Sequence, residues 1–385
     1  MLWLLLTLAS LSIWLAIAAI GAWRTREVFD AEMPEATGEV VSLDDVTVLI
    51  PARNEAETLP FCLRALAAQG EGLRIIVIDD QSSDLTFKFA RNALAGRAQV
   101  IAGTPPPQGW TGKLWALEQG RREVTTRWVL LLDADIELQP GIVAALLAKA
   151  RRDSLHFISL MAALRMESFW EKLLLPAFVY FFKLLYPFRW ANDARHTKVA
   201  AAAGGCILVE ARVLEQIGGF AALRGALIDD CALAGRVKAQ GFRTWIGLTH
   251  AARSMRGYQS LRPVWDMVAR SAFTQLHYSA TLLIAVTALL AVAYIVPPLA
   301  LLAAPSIGTP PGAAWLALAA LVAMLVTYLP VLRYYRRSPW WALFMPLIAL
   351  MYLAMTWSSA YRYWRGQRSA WRGRSYSKTL DSTTY

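Results

Sequence analysis

Uncharged, mostly apolar residues fill Leu2–Trp23 without a break and recur in three later runs, Thr281–Ala304, Ala314–Leu332 and Trp340–Ser358. About 20 residues at a rise of about 1.5 Å each cross a hydrocarbon core of about 30 Å, so every run approaches the length of a membrane span. Between the first run and the second the pattern changes. Short β-rich strands are predicted at Val46–Ile50, Leu73–Ile78, Gln99–Ile101, Trp128–Leu132 and Phe157–Met161, separated by helix-length patterns at Glu57–Gln69, Asp84–Ala95, Lys113–Glu123 and Gly141–Arg151. That alternation predicts βαβ units, hence an α/β domain on a mostly parallel, Rossmann-like sheet with transmembrane helices at both ends.

Composition agrees, since 385 residues that are 56% hydrophobic are too apolar for one ordinary soluble domain. The alternative for Leu2–Trp23 is a cleaved signal peptide, but no Lys or Arg precedes it and it exceeds the usual apolar core of about 7–15 residues. Arg24 and Arg26 follow directly, which by the positive-inside rule sets the amino terminus outside and the middle domain in the cytoplasm. The uncharged loop Pro305–Gly312 suits the outer side, and Arg333, Arg336 and Arg337 suit the inner one. The last run is ambiguous. A full crossing sends Arg362, Arg365, Arg368, Arg372, Arg374 and Lys378 outside against the rule, whereas a break at Pro346 into a re-entrant hairpin keeps them inside.

The resulting division is an anchor at 1–23, a linker at 24–43, a catalytic-type domain at 44–255, an interfacial helix at 256–280, two or three spans within 281–360 and a basic cytoplasmic tail at 361–385. The net charge of +11 lies largely beside the spans, which points to anionic lipid head groups and away from nucleic acid. Cys62, Cys206 and Cys231 are far apart and without CxxC spacing, so neither a disulfide framework nor a zinc site is expected. Ser168–Trp190 is aromatic and leucine-rich but carries Glu171, Lys172 and Lys183; it reads either as a helix lying in the membrane interface or as a core helix of the domain.

In open sheets of this class ligands sit beyond the carboxyl ends of the strands. There the chain places Pro51-Ala52-Arg53-Asn54-Glu55, then Asp79-Asp80, then Asp133-Ala134-Asp135. Alternate side chains of an extended segment share a face, so Asp133 and Asp135 can both look toward one Mg²⁺ or Mn²⁺ ion, hard cations that prefer carboxylate and phosphate oxygens. A DxD triplet alone is also what an Asp-rich turn looks like; three acidic clusters at successive strand ends favour the metal reading.

PARNEAETL, VIDDQSSDLT, LLDADIELQPG, the pair Gly204-Gly205 and IDDCALAGRVKAQG together resemble family 2 glycosyltransferases with the GT-A fold, over about half the chain. The resemblance implies a nucleotide-sugar donor, most simply a UDP-sugar, held by Pro51, Asn54, Glu55, Asp79 and Asp80, with Asp133 on the ribose and metal and Asp135 on the metal. It also implies that Asp229-Asp230 is the acceptor-side acidic pair. Asp230 is then the candidate base, because inverting transfer needs a carboxylate that takes the acceptor hydroxyl proton; the plainer reading is that either Asp caps the helix that follows. Gly109-Trp110-Thr111-Gly112-Lys113 opens a predicted helix, where Lys113 can meet donor phosphate or simply be solvated. His250, Arg253 and Arg256 are further groups able to meet pyrophosphate or lipid head groups, His250 reading rather as structural.

Polymer-forming relatives carry a (Q/R)xxRW element that is absent here as written, which leaves Arg262, Trp265, Arg270 and Gln275, with Gly204 and Gly205, as acceptor-side candidates. One amino-terminal span, several carboxyl-terminal spans and the tail Trp364-Arg365-Gly366…Trp371-Arg372-Gly373 look most like the bacterial hopanoid-biosynthesis-associated glycosyltransferases, and more distantly the ceramide glucosyltransferases; this implies a polyisoprenoid or other membrane lipid as acceptor. The rivals are a subunit of a membrane polysaccharide synthase and a non-catalytic membrane scaffold that retains the fold.

Overall fold

The computed structural model describes residues 1–30, 42–93, 98–226, 228–307, 310–367, 370–371 and 374–375. The chain begins with α1 (Leu2–Ile20), and the alternating region follows as β1 (Val46–Ala52), α2 (Leu59–Ala67), β2 (Arg74–Asp79), α3 (Thr86–Asn92), β3 (Ala98–Ala102) and α4 (Gly112–Arg121). It continues through β4 (Trp128–Leu132), β5 (Ile136–Leu138), α5 (Ile142–Arg152), β6 (Phe157–Ala163), α6 (Phe169–Leu185) and α7 (Phe188–Ala191). Then come β7 (Cys206–Glu210), α8 (Ala211–Gln216), α9 (Asp229–Ala239) and β8 (Thr244–Ser254). The remainder is helical: α10 (Leu261–Ala269), α11 (Ala280–Leu290), a π-helical turn at Ala291–Ile295, α12 (Val296–Ile307), α13 (Pro311–Tyr334), a 3-10 segment at Pro339–Phe344 and α14 (Met345–Trp364).

Contacts divide the chain into two units. One is chiefly Glu27–Arg165 with Phe188–Arg256; the other is Met1–Arg26, Met166–Pro187 and Gly257–Arg368. The expected continuous domain at 44–255 therefore gives up residues 166–187 to the helical unit. Of the expected linker 24–43, residues 31–41 lie outside the described residues; Val28 bridges to Leu248 and Phe29 packs on the core, so this part belongs to the sheet unit.

The sheet has eight strands in the order β3-β2-β1-β4-β7-β6-β8-β5. Its β3-β2-β1-β4 half is parallel, as is β6 with β8, while β7 runs antiparallel to both β4 and β6 and β5 antiparallel to β8. β1 and β4 are buried along their whole length because helices cover both faces, which is why, Thr47 apart, they read as apolar runs. Alternation still sorts the side chains: Val48, Ile50 and Leu130 join one core layer, Leu49, Val129 and Leu131 the other. Since β1 is followed toward β2 on one side and β4 lies on the other, the chain reverses direction between β1 and β4, the switch point at which such sheets open a crevice.

In the helical unit, α1, α11 through α12, α13 and the segment Pro339–Trp364 are long and apolar enough to cross a membrane. Here the structure excludes one of the two readings left open for the last run and revises the helix expected at 256–280. Pro346 does not break the last run into a hairpin: it stands in the first turn of α14, where a missing N–H costs nothing, and the helix continues unbroken to Trp364. The expected helix at 256–280 is instead α10, a 3-10 turn at Thr274–Leu276 and the left-handed pair His277 and Tyr278.

Candidate active site

Loops, strand ends and helix starts converge at the carboxyl edge of the parallel half. The loop after β1 and the loop after β2 are clamped to each other: Arg53 donates to the Gln81 carbonyl, Asn54 N–H to Ser82 Oγ at 3.0 Å, and Ser83 N–H to Asn54 Oδ1 at 2.9 Å. Asn54 and Gln81 both hold positive φ, 51° and 57°, a conformation that costs a non-glycine residue energy and is sustained here by those cross-loop bonds. Asn54 is thus engaged in shaping the loops. Asp79 and Asp80 are buried below them; Ser82 N–H donates to Asp79 Oδ2 at 3.2 Å, and Asp79 Oδ1 is buried without a hydrogen-bond partner among the described residues. A buried, unmatched carboxylate oxygen is costly unless a donor from outside reaches it.

Pro51, Lys113, Asp133, Gly204, Asp229 and Asp230 line one cleft, floored by Leu131, Ile207 and Phe220. Thr111 caps α4 and delivers Lys113 in its first turn. The Lys113 ammonium lies 2.7 Å from Asp133 Oδ1, with only a fifth of its side chain exposed, and the negative charges of Asp133, Asp229 and Asp230 hold its pKa above the ordinary lysine value. Gly204 is tied to this arrangement by size. A Cβ there would stand 3.3 Å from Lys113 Nζ and 3.4 Å from Asp230 Oδ2. Gly205 accepts the Asp133 N–H at 3.0 Å, which locks the end of β4 to the start of β7.

Asp229 and Asp230 open α9, and Asp230 Oδ1 accepts the Cys231 N–H at 2.8 Å. Burial, reinforced by the neighbouring Asp229 charge, pushes the Asp230 carboxyl up to about 6, against the opposing pull of Lys113. It remains mostly ionised at neutral pH and sits close to the value that suits a proton acceptor working there. No side-chain cap bond is made at this helix start, so capping alone does not account for the pair.

Asp135 lies on the other flank. Its Oδ2 accepts from Arg256 Nε at 3.0 Å and from Ser254 Oγ at 3.2 Å, and the same guanidinium reaches Glu55 Oε1 at 3.1 Å. Glu55 also accepts from Thr58 at 2.9 Å. Arg256 is the residue whose pairing local sequence did not reveal: it stands 201 positions from Glu55, and only the end of β8 brings them together. His250 bonds Asp30 at 3.3 Å, a structural pairing at the sheet edge. The other acceptor-side candidates belong to the helical unit: Arg262 is highly exposed beside Asp266, Trp265 and Arg270 lie on and just after α10, and Gln275 accepts from Tyr186 Oη at 2.5 Å.

Among the described residues no three His, Cys, Asp or Glu side chains cluster closely enough to hold a metal unaided. Asp133 and Asp135 nonetheless offer an all-oxygen pair, and a Mg²⁺-type ion characteristically takes one or two carboxylates with the rest of its shell from substrate phosphates and water. The chemistry of this donor set suits such an ion, which would compete with Lys113 for Asp133 and with Arg256 for Asp135.

A family model described as glycosyltransferase like family 2 matches residues 44–274, well over half of the chain. The 4,4'-diaponeurosporenoate glycosyltransferase of Staphylococcus haemolyticus (strain JCSC1435) is 33% identical over 93 residues, 24% of each chain, and that of Staphylococcus aureus (strain USA300) is 33% identical over 91 residues, again 24% of each. The match thus spans about a quarter of the length of these curated relatives. Among solved structures, a mannosyltransferase from Pyrobaculum calidifontis in complex with GDP-Man and Mn²⁺ superposes with a TM-score of 0.54 at 19% identity, covering 94% of this chain and 98% of that one, a likeness of fold.

Proposed function

The chain belongs to the family described as glycosyltransferase like family 2, and from that premise we propose that it transfers a sugar from a UDP-sugar to a hydroxyl of a membrane lipid with inversion at the anomeric carbon. The observation that carries the proposal is Lys113: one partly buried cation shared by Asp133 from the end of β4 and by Asp229-Asp230 from the start of α9, all facing one cleft. Donor-side and acceptor-side carboxylates are therefore within reach of a single reacting group.

In this reading Pro51 packs on the nucleoside, and Asp79 and Asp80 receive its donors, Asp79 Oδ1 being a buried oxygen that lacks a partner among the described residues. Glu55 acts through Arg256, which it holds beside Asp135. Asp133 and Asp135 would hold Mg²⁺ or Mn²⁺, which when bound would supply charge neutralisation for the diphosphate. Asp230 takes the acceptor hydroxyl proton as that oxygen bonds to the anomeric carbon and the bond to the donor phosphate oxygen breaks; the nucleoside diphosphate leaves with its electron pair. Lys113 steadies both the leaving diphosphate and the ionised form of Asp230.

A lipid acceptor is supported by the apolar helices at both ends and by relatives named for glycosylation of diaponeurosporenoate. Chain layout favours a hopanoid or another polyisoprenoid, in a bacterial inner membrane with the domain on the cytoplasmic side. The test incubates purified protein and Mn²⁺ with radiolabelled UDP- and GDP-sugars and total bacterial lipid, followed by extraction. Label in the organic phase from a UDP-sugar is expected. Label from GDP-sugars alone would overturn the donor assignment, and label confined to water-soluble product would overturn the lipid acceptor.

A further inference from the structure

We propose that α14 does not cross the membrane but lies along one leaflet beside α6 and α10, so that the chain crosses three times and its basic tail emerges on the side from which residue 257 enters. The inference rests on the helical unit alone and not on the proposed reaction.

Helix ends decide it. α1 and α13 run parallel, with Gly312 at the start of α13 set against Leu4 at the start of α1, within 3.8 Å of its Cδ1 for an added Cβ. Call that end side A; the far ends of both helices then lie on side B. α12 ends at Ile307, four residues before α13 begins, hence on side A, and its π-helical entry is anchored within α1, toward its carboxyl half, by Trp14 Nε1 donating to the Ala293 carbonyl at 2.9 Å. The start of α11 is therefore on side B.

Both ends of α14 meet side B. Its approach at Pro339 follows the end of α13 at Tyr334 by five residues. Its other end is fastened to the segment that precedes α11: Arg362 pairs with Asp266 at 2.6 Å, Phe273 N–H donates to Ser359 Oγ at 3.1 Å, and Tyr363 stacks on Tyr278 at 4.4 Å. A straight rod held at both ends on one side does not traverse the bilayer.

Along its length α14 follows α6, from Trp341 against Phe169 (5.7 Å between rings) to Tyr352 donating to the Leu174 carbonyl at 2.9 Å. α6 carries Glu171, Lys172 and Lys183, a composition suited to the interface. Opposite the buried Ile348, Tyr352 and Met355, α14 exposes Leu347, Leu350 and Trp364, with Leu343 of the preceding 3-10 segment in line with them, an apolar stripe that suits the head-group boundary; Trp357 beside them donates its indole N–H to Thr287 Oγ1 of α11 at 3.0 Å. Charge gives an independent check. Arg333, Arg336 and Arg337 precede α14 and Arg362 and Arg365 follow it; a crossing helix would place one group on the wrong side, whereas an in-plane helix keeps both with Arg24 and Arg26.

Two measurements on the full-length protein test this. In phospholipid bilayers, nitroxides attached singly through Leu343→Cys, Leu350→Cys and Tyr361→Cys are read for relative accessibility to oxygen and to a water-soluble nickel chelate. A shared shallow depth is expected, while a maximum at position 350 with shallow flanks would mean a crossing helix and overturn the proposal. In intact cells and inverted vesicles, a membrane-impermeant maleimide is applied to Gln367→Cys, Glu71→Cys and Pro310→Cys variants in which Cys231 is replaced by Ser. Position 367 is expected to label with position 71 and from the face opposite position 310; labelling with position 310 would refute it.

Discussion

Removing the Lys113 charge should move the pH dependence of transfer, and by an amount the geometry supplies. Lys113 Nζ and Asp230 Oδ2 lie 3.3 and 3.4 Å from the same point beside Gly204. The two charges are thus at most about 6.7 Å apart, and at an effective dielectric of about 20 they interact by about 2.5 kcal/mol or more. At 1.36 kcal/mol for each pKa unit, Lys113→Met raises the Asp230 carboxyl from about 6 to roughly 8. The sign follows from the base's role: protonated Asp230 accepts nothing, so activity falls as pH drops through its pKa. In the parent protein about nine-tenths of Asp230 is ionised at pH 7; in the variant about one-tenth is, a loss of about tenfold from this cause alone. The assay is kcat against pH from 5 to 9.5 at saturating donor. The acid limb should stand near 6 in the parent protein and near 8 in Lys113→Met, with activity recovering as pH rises, and Lys113→Arg should restore most of the original profile. An acid limb that stays near 6 in Lys113→Met would refute the coupling between Lys113 and the base.

Gly204→Ala should lower kcat about tenfold, or about 1.4 kcal/mol of barrier, because the new Cβ crowds both Lys113 and Asp230; unchanged kcat in a folded variant would show that this contact does not matter. Arg256→Gln leaves Glu55 and Asp135 without their shared cation and should raise the Kd for donor about tenfold or more by calorimetry, with a far smaller effect on the nucleoside alone. Chelation of divalent ions should abolish transfer, with recovery on adding Mn²⁺ or Mg²⁺; full activity in excess chelator would contradict the roles of Asp133 and Asp135.

Most strands were legible from short runs of β-branched and apolar residues, clearest in β1 and β4, which are buried on both faces: Trp128–Leu132 is found at its expected bounds, β1, β3 and β6 extend theirs by two residues, and β2 lies one residue later than expected. β7 and β8 were not legible. Cys206–Glu210 becomes a strand by inserting antiparallel between β4 and β6, partners far away in sequence, and Thr244–Ser254 mixes Gly, Ala, His and Arg into a strand secured by β6 on one side and β5 on the other. The acidic clusters were readable from their positions at strand ends, but their pairing was not. Which cation faces which carboxylate depends on the approach of β8 and α4, and so Arg256 beside Asp135 emerges only from the fold. Asn54 illustrates the converse: its place after β1 suggested a ligand contact, whereas its carbonyl is spent on Ser83. At α14, hydropathy reports length and apolarity, which a crossing helix and an in-plane helix share; the ties at Asp266 and Phe273 separate the two.

The central claim is that Asp230 is the base and that donor binding belongs to the other carboxylates. The measurement that tests it most directly compares Asp230→Asn with Asp135→Ala, recording donor affinity by calorimetry and label transfer to lipid in the same preparations. Asp230→Asn should bind donor within about twofold of the parent protein and transfer at least about a thousandfold more slowly, the scale expected when a positioned base is lost, whereas Asp135→Ala should lose both. Substantial transfer by Asp230→Asn, or equal donor affinity in the two variants, would contradict the account.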